Sequence, residues 1–147
     1  MRKFEPVKNA PQDTLLPKRG SKFSAGYDFY AAEDIVCNAK SVSKLSFTNI
    51  KVLMPKNEYL AVMIRSSLAV KHGLQVVQGT AIIDADYYGN PNNDGNIGIA
   101  IVNNSDIDYI IKKGERFCQG VFQAYAVTDD DATENERSGG YGSSGKF

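Results

Sequence analysis

Apolar side chains recur at every second position along this chain, and no long stretch repeats at the 3.6-residue spacing of a helix. Ser46–Met54 sets Ile50, Val52 and Met54 on one face, and Tyr59–Arg65 alternates Leu60, Val62 and Ile64 against Ala61, Met63 and Arg65. Ile97–Val102, Phe117–Tyr125 and a short Tyr109–Ile111 read as further strands, bounded by turn material such as Pro55-Lys56-Asn57 and Lys112-Lys113-Gly114-Glu115. The one helical stretch is Ser67–Lys71, with a serine as N-cap and Gly73 placed to end it. Without long helices, a core must come from sheets stacked or closed on themselves. The expected fold is therefore all-β, either a barrel or a jelly-roll-like fold. At 147 residues it is one domain with room for a real core.

Charge narrows the function. Seventeen basic residues balance seventeen acidic ones, with no Lys/Arg stripe, so a nucleic-acid surface is not expected. Cys37 and Cys118 make no disulfide scaffold and fit a reducing compartment, and the single His72 offers no zinc-like spacing. No apolar run is long enough for a membrane span, and Met1-Arg2-Lys3-Phe4-Glu5 is no signal stretch. The expected location is the cytoplasm, or the host cytoplasm if the gene is viral.

Five polar clusters are more than a core needs. Ala25–Ala31 opens a strand with Asp28 between aromatics; alone, Asp28 reads as a turn cap. Arg65-Ser66-Ser67 ends a strand and begins the helix, where free amides, a hydroxyl and a guanidinium make an anion site. Gln78–Gly89 carries Asp84 and Asp86 beside Tyr87 and Tyr88. On a regular strand the two carboxylates share a face and repel unless a cation or a bend intervenes. In Gly114–Gln119, Cys118 packs inward with Phe122 and Ala124 while Gln119 faces out. Last, residues 128–147 form an acidic linker and a Gly-rich arm after a β body of residues 1–127. By composition the arm is a frayed Gly/Ser tail, or else a ligand wrap. In the wrap, Arg137 grips phosphate, Ser143 and Ser144 donate hydroxyls, Tyr141 stacks on a flat ring and Gly142 lets the backbone come close. Asn90–Asn96 reads as an exposed insertion, dispensable for chemistry, and as a candidate for binding a protein partner.

Taken in order, these clusters resemble the five motifs of the trimeric dUTPase family across Ala25–Gly145, a combination far more specific than any one motif. The resemblance implies an antiparallel jelly-roll-like fold of the β-clip form, assembled as a homotrimer. Each site would draw on three subunits, with a flexible C-terminal arm closing over a neighbour. It implies hydrolysis of dUTP to dUMP and pyrophosphate with Mg²⁺, keeping uracil out of DNA and supplying dUMP. It gives Asp84 the water-activating role and sets Tyr87 beneath deoxyribose. The Gln78–Asp84 hairpin, with Ile83, reads the uracil edge through its main chain. Arg65, Ser66, Ser67 and Gln119 fall on the phosphate side, and Asp28 holds a magnesium-bound water while the triphosphate carries the metal. Arg137, Gly142, Ser143 and Ser144 clamp the γ-phosphate, and Tyr141 stands where phenylalanine usually stacks on the base. Tyr88 stands where arginine is common, and the last motif is one residue shorter than its commonest form. A related deaminase shares the Arg-Ser-Ser-Leu-Ala segment but needs a glutamate near Ala100, and none is there. A non-catalytic nucleotide binder would not need a carboxylate such as Asp84 facing phosphate.

Overall fold

Short strands are the main regular structure in the computed structural model, which describes residues 1–142. The first seven are β1 (Lys3–Pro6), β2 (Lys18–Arg19), β3 (Tyr27–Tyr30), β4 (Ile35–Cys37), β5 (Ser46–Phe47), β6 (Ile50–Leu53) and β7 (Glu58–Ile64). Helix α1 (Ser66–His72) is followed by β8 (Leu74–Val76), β9 (Ala81–Asp84), β10 (Gly98–Ile99), β11 (Ile101–Asn103), β12 (Tyr109–Ile111) and β13 (Arg116–Ala124). The main sheet runs β2-β3-β13-β7-β9, and β1-β6, β5-β10, β8-β11 and β4-β12 form two-stranded ribbons. Every pairing is antiparallel, as expected for an all-β fold.

Alternation governs burial. Ile50, Val52 and Met54 are buried as their spacing requires, and Leu60, Val62, Ile99, Ile101, Ile111 and Phe117 are almost solvent-free. Phe4, Tyr27, Phe29 and Phe122 close one end, with ring centroids 5.2–6.0 Å apart. Ala61 is buried as well, because β7 lies inside the sheet. Two expected strands are broken. Ser46–Met54 splits at Asn49, whose φ of 62° is left-handed, and Ile97–Val102 splits at Ala100. Cys118 packs in the core, but Phe122 is only half-buried and Ala124 exposed, since β13 runs past the core edge. Cys37 and Cys118 are both free and buried. Burial pushes the Cys37 thiol up to about 11 and raises that of Cys118. Among the described residues no helix is long and apolar enough to cross a membrane.

The helix differs from expectation at its start and agrees at its end. Arg65, not a serine, is the N-cap residue; its carbonyl receives the N–H groups of Leu68 and Ala69, and no side chain caps the turn. Gly73 closes it in the left-handed conformation (φ 65°), donating back toward Ala69 and Leu68. The turn after β8 does not make a paired hairpin with β9. β8 pairs with β11 and β9 with β7, so Gln78 sits where the chain changes sheets.

Candidate active site

The polar residues gather at two places, at opposite ends of β7. At its C-terminal end, β13 lies between β3 and β7, which sets Gln119 across from Asp28 on one side and Met63 on the other. The Asp28 carboxylate pairs with Arg65 Nε at 3.2 Å on one oxygen and accepts from Arg116 Nη1 at 3.2 Å on the other. Two guanidiniums against one carboxylate leave this end net positive. Gln119 lies over Gly26, where a Cβ would stand 2.5 Å from its Oε1. Ser66 and Ser67 are exposed on the first turn of α1, and a cavity of about 510 Å³ opens there between Arg65, Ser67, Lys71, His72 and Arg116. Arg116 carries no residue-spacing signal of its own; only the register of β13 against β3 brings it to Asp28.

The second group lies at the end of β9. The strand stops at Asp84, and a 3-10 turn over Ala85–Tyr87 follows, so Asp84 and Asp86 do not share a strand face. A bend and a cation both intervene. Arg137 from the arm donates through Nη2 to Asp84 Oδ2 and through Nε to Asp86 Oδ1 at 2.6 Å. Burial pulls the Arg137 guanidinium down, but its contacts to Asp86 and Asp84 outweigh that and hold it above its ordinary value. Asp84 is half-exposed and Asp86 exposed. Ile83, 7% exposed, packs its side chain in the core opposite Leu60, and both it and exposed Ile82 border the cavity there.

That cavity holds about 200 Å³ between Gln78, Ile82, Asp84, Tyr87, Gly98 and Tyr141. Tyr87 is 6% exposed, and Gly140 passes so close that a Cβ there would lie 3.0 Å from its ring. The Tyr87 hydroxyl donates to Asn96 O at 3.1 Å and accepts from Asn93 Nδ2 at 2.6 Å. Tyr141 enters edge-on to Tyr87, with centroids 6.1 Å apart. Its hydroxyl accepts from Gly98 N at 2.5 Å and donates to Gly98 O at 3.0 Å. Desolvation at the hydroxyl raises this phenol above its usual value even though the residue as a whole is half-exposed. Gly98 is the residue that sequence reasoning missed. A single glycine inside a strand is the available signal, marking a close approach of another group to the backbone. Here the arm seats on its own chain's Asp84 and Gly98, whereas the resemblance implies a neighbour's. Ser143 and Ser144 lie outside the described residues.

The two groups do not meet in one chain. Tyr59 lies opposite Asp84, and Arg65 follows Ile64 at the other end of β7. Six residues of strand separate them by about 20 Å. Among the described residues no three His, Cys, Asp or Glu side chains stand together as a metal cage. The Asn90–Asn96 loop is only partly the exposed turn expected: Pro91 and Asn92 are exposed, but Asn90 and Gly95 are buried against Tyr87 and its neighbours. Tyr88, at the position where arginine is common, donates to Glu5 at 2.7 Å and carries the Lys51 ammonium over its ring.

The dUTPase family profile matches residues 12–145. A deoxyuridine 5'-triphosphate nucleotidohydrolase of Lactococcus lactis is 42% identical over 132 residues, covering 88% of this chain and 87% of the relative. The crystal structure of a dUTPase from Streptococcus mutans superposes with a TM-score of 0.79 at 37% identity, covering 86% of this chain and 98% of the other. A mutant dUTPase from phage phi11 of S. aureus, described as showing coordination of a structural Mg(II) ion, shares the fold at 21% identity and a TM-score of 0.72. That match covers 92% of this chain and 97% of the phage protein.

Proposed function

This chain belongs to the dUTPase family and hydrolyses dUTP to dUMP, and we propose that it does so with Asp84 as the water-activating base, in sites shared among three copies. The observation that carries this reading is the company Asp84 keeps: one small cavity unites it with Tyr87 and with a Gly98 N–H and C=O pair. Uracil presents a carbonyl beside an N–H along its imide edge, and the Gly98 pair complements both. The Tyr141 hydroxyl now takes both groups, so it leaves them as the base enters and can then stack on the ring. Tyr87 lies beneath deoxyribose and leaves no room for a 2′-hydroxyl, and the sheet-changing turn at Gln78 leaves none for a 5-methyl group.

Asp84 takes a proton from the attacking water as its oxygen bonds to the α-phosphorus in line. The bond from that phosphorus to the α,β-bridging oxygen breaks, and pyrophosphate leaves with the electron pair. Arg137 releases Asp84 and turns to the γ-phosphate with Gly142, Ser143 and Ser144. Arg65, Ser66, Ser67 and Gln119 bind the remaining phosphate oxygens. Asp28 suits a magnesium-bound water better than direct ligation, because two arginines already hold its oxygens. A divalent ion carried by a triphosphate fits this donor set, and it would supply neutralising charge.

About 20 Å of β7 keeps Asp84 from the Arg65 group, far beyond the length of a triphosphate, and this supports a homotrimer in which neighbours complete each site. In this reading residues 1–127 are the body and 128–147 the linker and arm. Reduced, buried Cys37 and Cys118 fit work in the cytoplasm, removing dUTP before it enters DNA and supplying dUMP. Pyrophosphate release from dUTP, dTTP, dCTP and UTP, measured side by side with Mg²⁺, tests the substrate assignment. We expect dUTP to exceed each of the others by at least about 10²-fold; rates within tenfold of one another would sink it.

A further inference from the structure

The hydroxyl of Tyr87 has one proton to donate and, in this site, one partner to accept from, and the Asn90–Asn96 insertion supplies both. Asn96 O takes the proton, and Asn93 Nδ2 donates at 2.6 Å. Asn93 is itself fixed. Its Oδ1 accepts from Gly95 N at 3.0 Å, which leaves the amide nitrogen to face Tyr87. The loop is bolted to the body on three sides. Asp94 receives the Lys8 N–H at 2.9 Å and the Lys51 ammonium at 2.8 Å, Asn96 Oδ1 accepts from Asn49 N, and Asn90 N donates to Tyr87 O. Gly95, at φ 78°, passes so near that a Cβ would sit 2.6 Å from Tyr87 O.

We propose that Asn93 is a positioning residue for sugar selection: through the Tyr87 hydroxyl it sets the tilt of the ring on which deoxyribose rests, so the insertion is part of the specificity machinery. This rests on the assignment of Tyr87 to the sugar. A phenol pinned at its far end by two hydrogen bonds cannot swing to admit a 2′-hydroxyl, whereas a ring held only by its neighbours can. A loop that merely decorated the surface would have no reason to spend a fixed amide on a side chain inside the cavity.

The test compares steady-state hydrolysis of dUTP and UTP for the full-length enzyme, Asn93→Ala, Tyr87→Phe, the double variant and Tyr87→Ala. Asn93→Ala should raise KM for dUTP about fivefold, the worth of one hydrogen bond. It should leave kcat within twofold and narrow the dUTP-to-UTP preference by a similar factor. Tyr87→Phe, which keeps the ring but removes both the Asn93 and the Asn96 hydrogen bonds, should raise KM at least as much. Adding Asn93→Ala to Tyr87→Phe should then change nothing further. An equal loss from Asn93→Ala in both backgrounds would reduce Asn93 to loop stability and overturn the inference, as would an unchanged KM in either single variant. Should Asn93→Ala unfold, Asn93→Asp, which keeps an oxygen for the Gly95 N–H and lacks the amide donor, decides in its place with the same expected outcomes. If Tyr87→Ala keeps the full preference for dUTP, the sugar assignment falls and the inference falls with it; a lost preference with a silent Asn93→Ala sinks the inference alone.

Discussion

Asp84 is the last residue of its strand, and that placement suits it to the role proposed for it. Were β9 one residue longer, the carboxylate would be held on a sheet face; instead it points where the backbone turns away, paired only with a guanidinium that can leave. Asp84→Asn keeps the shape and removes the proposed base. Turnover should fall about 10²- to 10⁴-fold while a nonhydrolysable dUTP analogue still binds, seen by single-turnover hydrolysis beside equilibrium titration. The same change removes half of the Arg137 grip, so protease should cut after Arg137 faster in the free variant than in the parent. Near-normal turnover would move the base elsewhere, with Asp86 first in line.

At the scale of elements, the loop and the N-terminal strand share one charged clamp. Asp94 faces Lys51 and the Lys8 amide, and Lys51 also faces Glu5 and the Tyr88 ring. The Lys51 hydrogen bond holds the Asp94 carboxyl below its ordinary value against the opposing effect of burial. A depressed carboxyl stabilises the fold above its unfolded pKa, and that contribution is lost as pH falls through the folded one. Asp94→Asn should therefore melt about 3–8 °C lower than the parent at pH 6, with the gap closing below about pH 4. A gap independent of pH would mean that the clamp is not electrostatic. Alternation was enough to read the strands and the buried row Ile50, Val52 and Met54, because burial of one face is a local consequence of spacing. The left-handed stop at Gly73 was legible for the same reason. Asn93 was not: Asn, Pro and Gly in a row signal a turn, and nothing in that signal says that one amide bends inward to a tyrosine. Nor was Gly98, whose role depends on Tyr141 arriving from 43 residues away.

For the whole molecule the question is how five motifs, ordered along one chain, come to act on one substrate. Within the chain they divide along β7, with Asp84, Tyr87 and Gly98 at one end and Asp28, Arg65 and Gln119 at the other. If three copies share the sites as proposed, two inactive homotrimers should then repair each other. Asp84→Asn subunits keep a good Arg65, and Arg65→Ala subunits keep a good Asp84. Random assortment at equal amounts gives roughly one quarter of the sites both, when the two come from different copies. Activity after refolding together should approach that fraction of the parent and far exceed either variant alone. No rescue, despite subunit exchange verified by mass-tagged chains, would put the whole site inside one chain and contradict the strand separation. The arm needs its own pair. Asp84→Asn mixed with Arg137→Ala should also recover roughly a quarter, because the arm is expected to close on a neighbour once substrate displaces Tyr141 from Gly98. Rescue by the first pair but not the second would mean that the arm stays on its own chain through turnover, as it lies here between Asp84 and Gly98. The trimer would then share its sites through the body alone.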